Sequence, residues 1–159
     1  MKTGRKTWLA LVIALGIGCN DALAQEAPSG LGFGLRAGLG LDPDQFVVGG
    51  QFSLGKSLKI FRVVPSVDVG FGDNRTTIDF NGDFLVRLIV EGTSFGLYGG
   101  GGPTLAFIDR SGGDSNWEFG LSLVAGLQVP LIPKKATNLE ARFGIGDIPD
   151  FRLLLAIIL

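Results

Sequence analysis

From residue 31 onward, apolar side chains recur at every second position, and this period-two alternation constrains the fold more than any other feature of the chain. The pattern is clear where Asp68 lies between Val67 and Val69, and again where Asp79 lies between Ile78 and Phe80. Successive side chains of a β-strand point to opposite faces of the sheet. Each alternating segment therefore predicts a strand with one apolar and one polar face.

Eight such segments are separated by clusters of Gly, Asp, Asn, Ser and Pro, which favour turns. No apolar stripe of helical period extends over ten residues in this part of the chain. The sequence thus predicts an all-β fold. Its predicted strands are 31–41, 45–54, 61–71, 78–88, 94–108, 117–131, 139–146 and 151–159.

The composition of the polar face indicates which side of the sheet meets water. A soluble barrel presents Lys, Glu and Thr to solvent, whereas here the polar face consists mostly of Gly, Ser and Gln with few charges. The chain has 26 Gly and only 18% charged residues, while 46% of its residues are hydrophobic. Small side chains suit the narrow interior of a membrane barrel, and hydrocarbon tolerates no open sheet edge. We therefore expect a closed, eight-stranded, antiparallel up-and-down transmembrane barrel over residues 31–159.

Ten charged residues fall on the face that would line this barrel. They form a predicted lumen network of five arginines and five acids: Arg36, Arg62, Arg87, Arg142, Arg152, Asp68, Asp79, Asp83, Glu118 and Glu140. Matched numbers favour ion pairing, with Asp79 and Asp83 meeting Arg62, Arg87 and Arg142. Two other interpretations remain open: a cation or acid-base site at the carboxylates, or divalent ions held by the acidic loops near lipopolysaccharide phosphates. Eight strands enclose a side-chain-filled interior, so no wide pore is expected.

The N-terminus has the pattern of a secretory signal peptide over residues 1–24. Basic residues precede an apolar run at 8–18, and Ala22 and Ala24 fit the small-residue cleavage site. We expect cleavage between Ala24 and Gln25, leaving a short periplasmic segment, 25–30, before the barrel. Lipidation at Cys19 is the alternative, although Gly16 stands where a lipobox normally has Leu.

Several functional classes lack the residues they require. The chain has no His and one Cys, so it has no Ser-His-Asp triad, Cys-His dyad or histidine-bearing zinc site. Its net charge of -1 gives no electrostatic reason to bind nucleic acid. The glycine run at 99–102 is not followed by the Gly-Lys-Ser/Thr of a phosphate-binding loop. We predict no enzymatic activity, no cofactor and no metal site.

The alternation, the segments Val69-Gly70-Phe71-Gly72 and Tyr98-Gly99-Gly100-Gly101-Gly102-Pro103, and the terminal alternating strand resemble the small eight-stranded outer-membrane β-barrel proteins of Gram-negative bacteria, the OmpA/OmpX-type group. That group usually ends in an aromatic residue, whereas this chain ends in Leu159. The resemblance implies a porin-like monomer in the outer membrane, with both termini in the periplasm. It also implies lipid and lipopolysaccharide as surroundings and the barrel-assembly machinery as a partner during biogenesis.

Two functions follow from these patterns. The first is a non-enzymatic integral outer-membrane protein with a structural or surface-interaction role in the cell envelope and a narrow, filled lumen. The second is a soluble periplasmic lipocalin-like barrel whose apolar face lines a cavity for a hydrophobic ligand. The predicted outward connections, 41–45, 72–77, 109–116 and 146–150, are short and acidic, which disfavours adhesion through long loops.

Overall fold

The computed structural model describes residues 32–54, 61–89, 95–132 and 135–159. The predicted signal peptide, its cleavage pair Ala24 and Gln25, and segment 25–30 lie outside these residues. The described strands are β1 (Gly32–Asp42), β2 (Asp44–Ser53), β3 (Phe61–Gly72), β4 (Arg75–Ile89), β5 (Gly96–Arg110), β6 (Asn116–Ile132), β7 (Lys135–Gly146) and β8 (Phe151–Ile158). In the described part of the chain, no helix is long and apolar enough to cross a membrane.

The eight strands form one closed antiparallel barrel in which each strand pairs with its sequence neighbours and β1 pairs with β8. At this β1–β8 seam the N–H of Leu159 donates to the carbonyl of Phe33 at 2.8 Å. The predicted closed eight-stranded antiparallel barrel is therefore confirmed. Two strands begin earlier than expected, β4 at Arg75 and β7 at Lys135, because the polar residues there pair with neighbouring strands.

The barrel has two ends, named here for what joins the strands. Residue 43, residues 73–74, 111–115 and 147–150 connect strands at the hairpin end. The opposite, terminal end holds the start of β1 and the finish of β8. Every second side chain of a strand points inward, so the inward side chains of each strand lie at successive depths between the two ends.

The apolar face points outward. Among the described residues, 25 large apolar side chains are exposed, with Phe119 at 65% and Trp117 at 60%. Some form cross-strand aromatic pairs on this surface, including Phe107 with Trp117 at 5.0 Å between ring centroids. A lipocalin-like barrel needs these side chains inside. The lipocalin alternative is therefore wrong for this structure.

Two inward glycines make room for larger neighbours. Gly126 pairs with Tyr98 across β5 and β6, and a Cβ at Gly126 would overlap the tyrosine ring. Gly49 pairs with Asp68 across β2 and β3, and a Cβ there would overlap the carboxylate. At these two positions the larger inward side chain fits because its register partner has no Cβ.

Candidate functional site: the charged lumen

Arg36 and Asp68 form the first buried ion pair of the lumen, with 3% and 0% of each residue exposed. Arg36 Nε donates to Asp68 Oδ1 at 2.5 Å, and its Nη2 contacts the other carboxylate oxygen. The same Nη2 donates to Ser66 Oγ at 2.7 Å. The pair crosses from β1 to β3, so it holds two strands that are not neighbours in the barrel.

A second pair joins β7 to β4. Arg142 Nη2 donates to Asp83 Oδ2 at 2.6 Å and Nη1 donates to Asp83 Oδ1 at 3.1 Å. This two-point geometry is the strongest form of arginine-carboxylate contact. Nη1 also donates to Ser122 Oγ at 2.9 Å, which adds β6.

Glu140 links the two pairs. Its Oε1 accepts from Arg36 Nη1 at 3.5 Å and from Arg142 Nη2 at 3.1 Å. Its Oε2 accepts from the hydroxyl of Tyr98 at 3.1 Å. A second link runs through neutral groups. Asn81 Nδ2 donates to Asp68 at 3.2 Å, Thr104 donates to Asn81 Oδ1 at 2.8 Å, and the Thr104 hydroxyl lies 3.2 Å from Ser122 Oγ, which accepts from Arg142. The result is one connected network across the middle of the lumen.

A third ion pair, Arg152 with Asp79, lies closer to the hairpin end and joins β8 to β4. Arg152 Nη2 also donates to Thr77 Oγ1 at 3.0 Å, and Thr77 donates to Gln45 Oε1 at 3.2 Å. Asp79 Oδ1 and Gln45 Nε2 are buried and have no hydrogen-bond partner. We find no side-chain hydrogen bond between this pair and the central network among the described residues.

Seven of the ten predicted network residues meet in these contacts, each no more than 5% exposed: Arg36, Asp68, Asp79, Asp83, Glu140, Arg142 and Arg152. Three arginines therefore face four carboxylates, so the buried cluster has one acid in excess.

The other three predicted residues lie outside the cluster. Arg62 and Arg87 lie near the terminal end, where neither has a carboxylate within 4.0 Å among the described residues. Arg87 is four positions from Asp83 along β4, about 13 Å at the rise of a strand, so it is too distant to pair with that acid. Glu118 lies near the hairpin end and pairs with Arg110 at 3.6 Å.

Two apolar layers enclose the charged network. Toward the terminal end, Val64, Leu85 and Val124 form a buried cluster against Tyr98. Toward the hairpin end, Ala106 and Ile108 pack against Ile148 of the 147–150 connection. That connection folds into the barrel mouth, since Gly144 N–H donates to Asp150 O at 2.8 Å.

Sequence reasoning missed these layers, although part of the signal was present. Val63-Val64 and Phe84-Leu85-Val86 are consecutive apolar residues, so apolar side chains occur on both faces there. Ile148 has no such signal, because its inward position depends on how the connection folds.

At the hairpin end a depression of about 290 Å³ opens between β4, β5 and the 147–150 connection. Arg75, Arg110 and Glu118 line it together with Asp42, Asp147 and Asp150. In the described residues, no group of three or more His, Cys, Asp or Glu side chains could hold a metal ion.

We find no family model and no curated protein that matches this sequence. The fold is similar to solved structures. It matches the N-terminal β-barrel domain of Pseudomonas aeruginosa OprF with a TM-score of 0.67 and 11% identity, over 84% of this chain and 98% of that one. It matches Neisserial surface protein A with a TM-score of 0.59 and 9% identity, over 81% and 94% of the two chains. Both are eight-stranded outer-membrane barrels. Because the sequence identities are this low, the likeness establishes the fold alone.

Proposed function

We propose that this chain is an integral outer-membrane protein without enzymatic activity, whose sealed barrel has a structural or surface-interaction role in the cell envelope. One observation carries the proposal: the apolar side chains face outward, while buried ion pairs occupy the centre. A soluble barrel has the opposite arrangement. The likeness to outer-membrane barrels supports the same location.

The outward surface fits a lipid environment on energetic grounds. Moving a Leu or Phe side chain from water into an apolar medium is favourable by about 1.5–3 kcal/mol. Among the described residues, each of the 25 exposed large apolar side chains is 36–65% exposed, so each gains the corresponding part of this free energy in hydrocarbon and none in water. Backbone groups of the eight strands are paired around the closed ring, which satisfies the requirement for crossing a bilayer.

The interior supports a sealed barrel rather than a diffusion pore. A hydrated ion moving along the axis meets the Ile148 layer, then the paired arginines and acids, then the Val64 layer. Opening a path requires separating buried ion pairs, which would leave charges in the lumen without their partners. We therefore expect the lumen to exclude solutes.

Export and surroundings complete the proposal. The N-terminal segment directs secretion, cleavage follows Ala24, and Gln25 begins the mature chain. The barrel-assembly machinery inserts the mature chain, which then functions as a monomer in contact with lipid and lipopolysaccharide. The hairpin end then faces the cell exterior, since β1 starts and β8 ends at the other end, which outer-membrane barrels usually keep in the periplasm.

Expression of the full chain in a Gram-negative host tests the proposal. We expect the protein in the outer-membrane fraction, an N-terminal sequence starting at Gln25, and faster gel migration without boiling than with boiling. A variant with Ala24→Arg serves as the matched control and should retain the leader. Recovery of the wild-type protein in the soluble periplasm, with no heat-dependent shift, would contradict a membrane barrel.

Solute exclusion is tested separately with purified barrel in planar lipid bilayers. Wild-type protein should give no steady conductance in 1 M KCl. The double variant Tyr98→Ala with Ile148→Ala thins both apolar layers and should raise the frequency of brief openings. Steady open channels from the wild type would refute a sealed lumen without affecting the membrane location.

A further inference from the structure

The depression at the hairpin end has two walls of opposite charge. Arg75 of β4 and Arg110 of β5 are direct register partners, and both line one wall of the depression, where Glu118 lies 3.6 Å from Arg110. The other wall holds Asp42, Asp147 and Asp150. Its backbone is tied in place, because the N–H of Asp150 donates to the carbonyl of Asp42 at 3.0 Å.

These two walls do not neutralise each other. Arg110 reaches only Glu118, at 3.6 Å, and Arg75 has no carboxylate within 4.0 Å among the described residues. Arg75 Nε is buried without a hydrogen-bond partner. In the same part of the chain, Asp42 and Asp150 form no side-chain hydrogen bond or ion pair. Among the described residues, Arg75 on one wall and Asp42 and Asp150 on the other therefore have no ion-pair partner, whereas Arg110 already contacts Glu118.

The charges select against simple ions. A lone anion at the arginines is repelled by the aspartates opposite, and a lone cation at the aspartates is repelled by the arginines. A molecule that carries both charges can place its anionic group near the arginines and its cationic group near the aspartates, so both walls attract it. Guanidinium groups bind phosphate and carboxylate oxygens through paired hydrogen bonds, and a carboxylate accepts strongly from an ammonium group.

We propose that this depression, the hairpin-end mouth, binds a small zwitterion, with its phosphate or carboxylate group on Arg75 and Arg110 and its ammonium group on Asp42 and Asp150. The volume of about 290 Å³ is at the small end for ligand sites and suits a molecule of this size. Ile148 is 5% exposed and packs on Ala106 and Ile108, so it closes the floor. The ligand is held at the surface and does not enter the lumen.

The test uses mature barrel refolded in an uncharged detergent and isothermal titration calorimetry with three probes. These are O-phosphoethanolamine, which carries both charges, and its two halves, inorganic phosphate and ethanolamine. O-phosphoethanolamine should bind at least about tenfold more tightly than either half, since each half loses one charge-assisted contact. Equal binding of phosphate would overturn the zwitterion in favour of an anion site, and absence of saturable binding would overturn the site altogether.

Variants locate the binding. Arg75→Gln and Asp150→Asn should each weaken O-phosphoethanolamine binding by about tenfold, for the same reason. Matched controls are Arg87→Gln at the terminal end and Asp114→Asn in the 111–115 connection, and both should bind like wild type. If a control variant loses as much affinity for O-phosphoethanolamine as the variant that it matches, the proposed location of the site is wrong. Heat-dependent gel migration of every variant establishes that the barrel is folded, so a failed site is distinguishable from a failed barrel.

A free zwitterion and a lipid headgroup share this chemistry, and nanodiscs separate them. If a free molecule is the ligand, replacing phosphatidylcholine with phosphatidylethanolamine leaves the affinity for O-phosphoethanolamine unchanged. If the headgroup itself occupies the hairpin-end mouth, phosphatidylethanolamine lowers the apparent affinity by competition.

Discussion

Replacing Arg142 with methionine removes the charged centre of the lumen network while keeping an unbranched side chain. Asp83 loses its two contacts at 2.6 and 3.1 Å, and Glu140 loses one at 3.1 Å. The buried cluster then holds two guanidinium groups against four carboxylates. Leaving a buried carboxylate without its partner costs about 3–5 kcal/mol, so we expect the free energy of unfolding to fall by that amount.

Urea unfolding in lipid vesicles measures this loss through tryptophan fluorescence. The chain has two tryptophans, and Trp8 lies in the predicted leader, so the mature barrel reports through Trp117 on the outer surface. With a urea slope of about 2 kcal/mol/M, a loss of 3–5 kcal/mol lowers the midpoint by about 1.5–2.5 M. Arg87→Met is the matched control. Arg87 is exposed and has no carboxylate within 4.0 Å among the described residues, so its replacement should cost less than about 0.5 kcal/mol.

A second substitution tests the electrostatic explanation itself. Asp83→Asn in the Arg142→Met background returns the cluster to an excess of one acid, as in the wild type. It should recover about 2 kcal/mol or more, because it removes the uncompensated charge rather than refilling space. The reasoning would be refuted by a single variant that loses less than about 1 kcal/mol, or by a double variant no more stable than the single one.

Three further changes test other parts of the barrel. Glu140→Gln should cost less than about 1 kcal/mol in urea unfolding, because it removes the excess acid and keeps an acceptor; a loss as large as that of Arg142→Met would contradict this. Gly126→Ala displaces the Tyr98 ring and should cost about 1–3 kcal/mol, whereas Gly82→Ala, whose Cβ would lie 3.8 Å from its nearest neighbour, should cost little; equal losses would exclude the proposed overlap. Ile148→Asp should expose the 147–150 connection to protease on intact cells, and unchanged resistance would contradict its packing in the mouth.

The sequence predicted the barrel and its faces because both depend on a local property, the alternation along each strand. Phe80 and Leu121 point outward, and Asp79 and Ser122 point inward, as their positions in the period-two alternation require. The alternation does not determine how deep in the barrel a side chain lies, however. That depends on the stagger between strands, which is set by the whole ring.

The ion-pair partners illustrate this limit. Arg62 shares the inward face with Asp79, but it lies near the other end of the barrel. Asp79 meets Arg152 instead, a residue 73 positions away along the chain from the last strand. Such a contact follows only after the barrel has closed with one particular register, and the inward turn of Ile148 follows from connection geometry in the same way.

The position of two arginines relative to the β1–β8 seam has a consequence for assembly. Arg36 of β1 contacts Glu140 of β7, and Arg152 of β8 contacts Asp79 of β4. The first contact crosses the seam and the second crosses the width of the barrel, so until the first and last strands join, Glu140 and Asp79 face an incomplete set of counter-charges. Neutralisation of the buried acids and pairing of β1 with β8 then occur in the same step. A half-closed intermediate lacks both stabilising contributions, so we expect insertion to be cooperative.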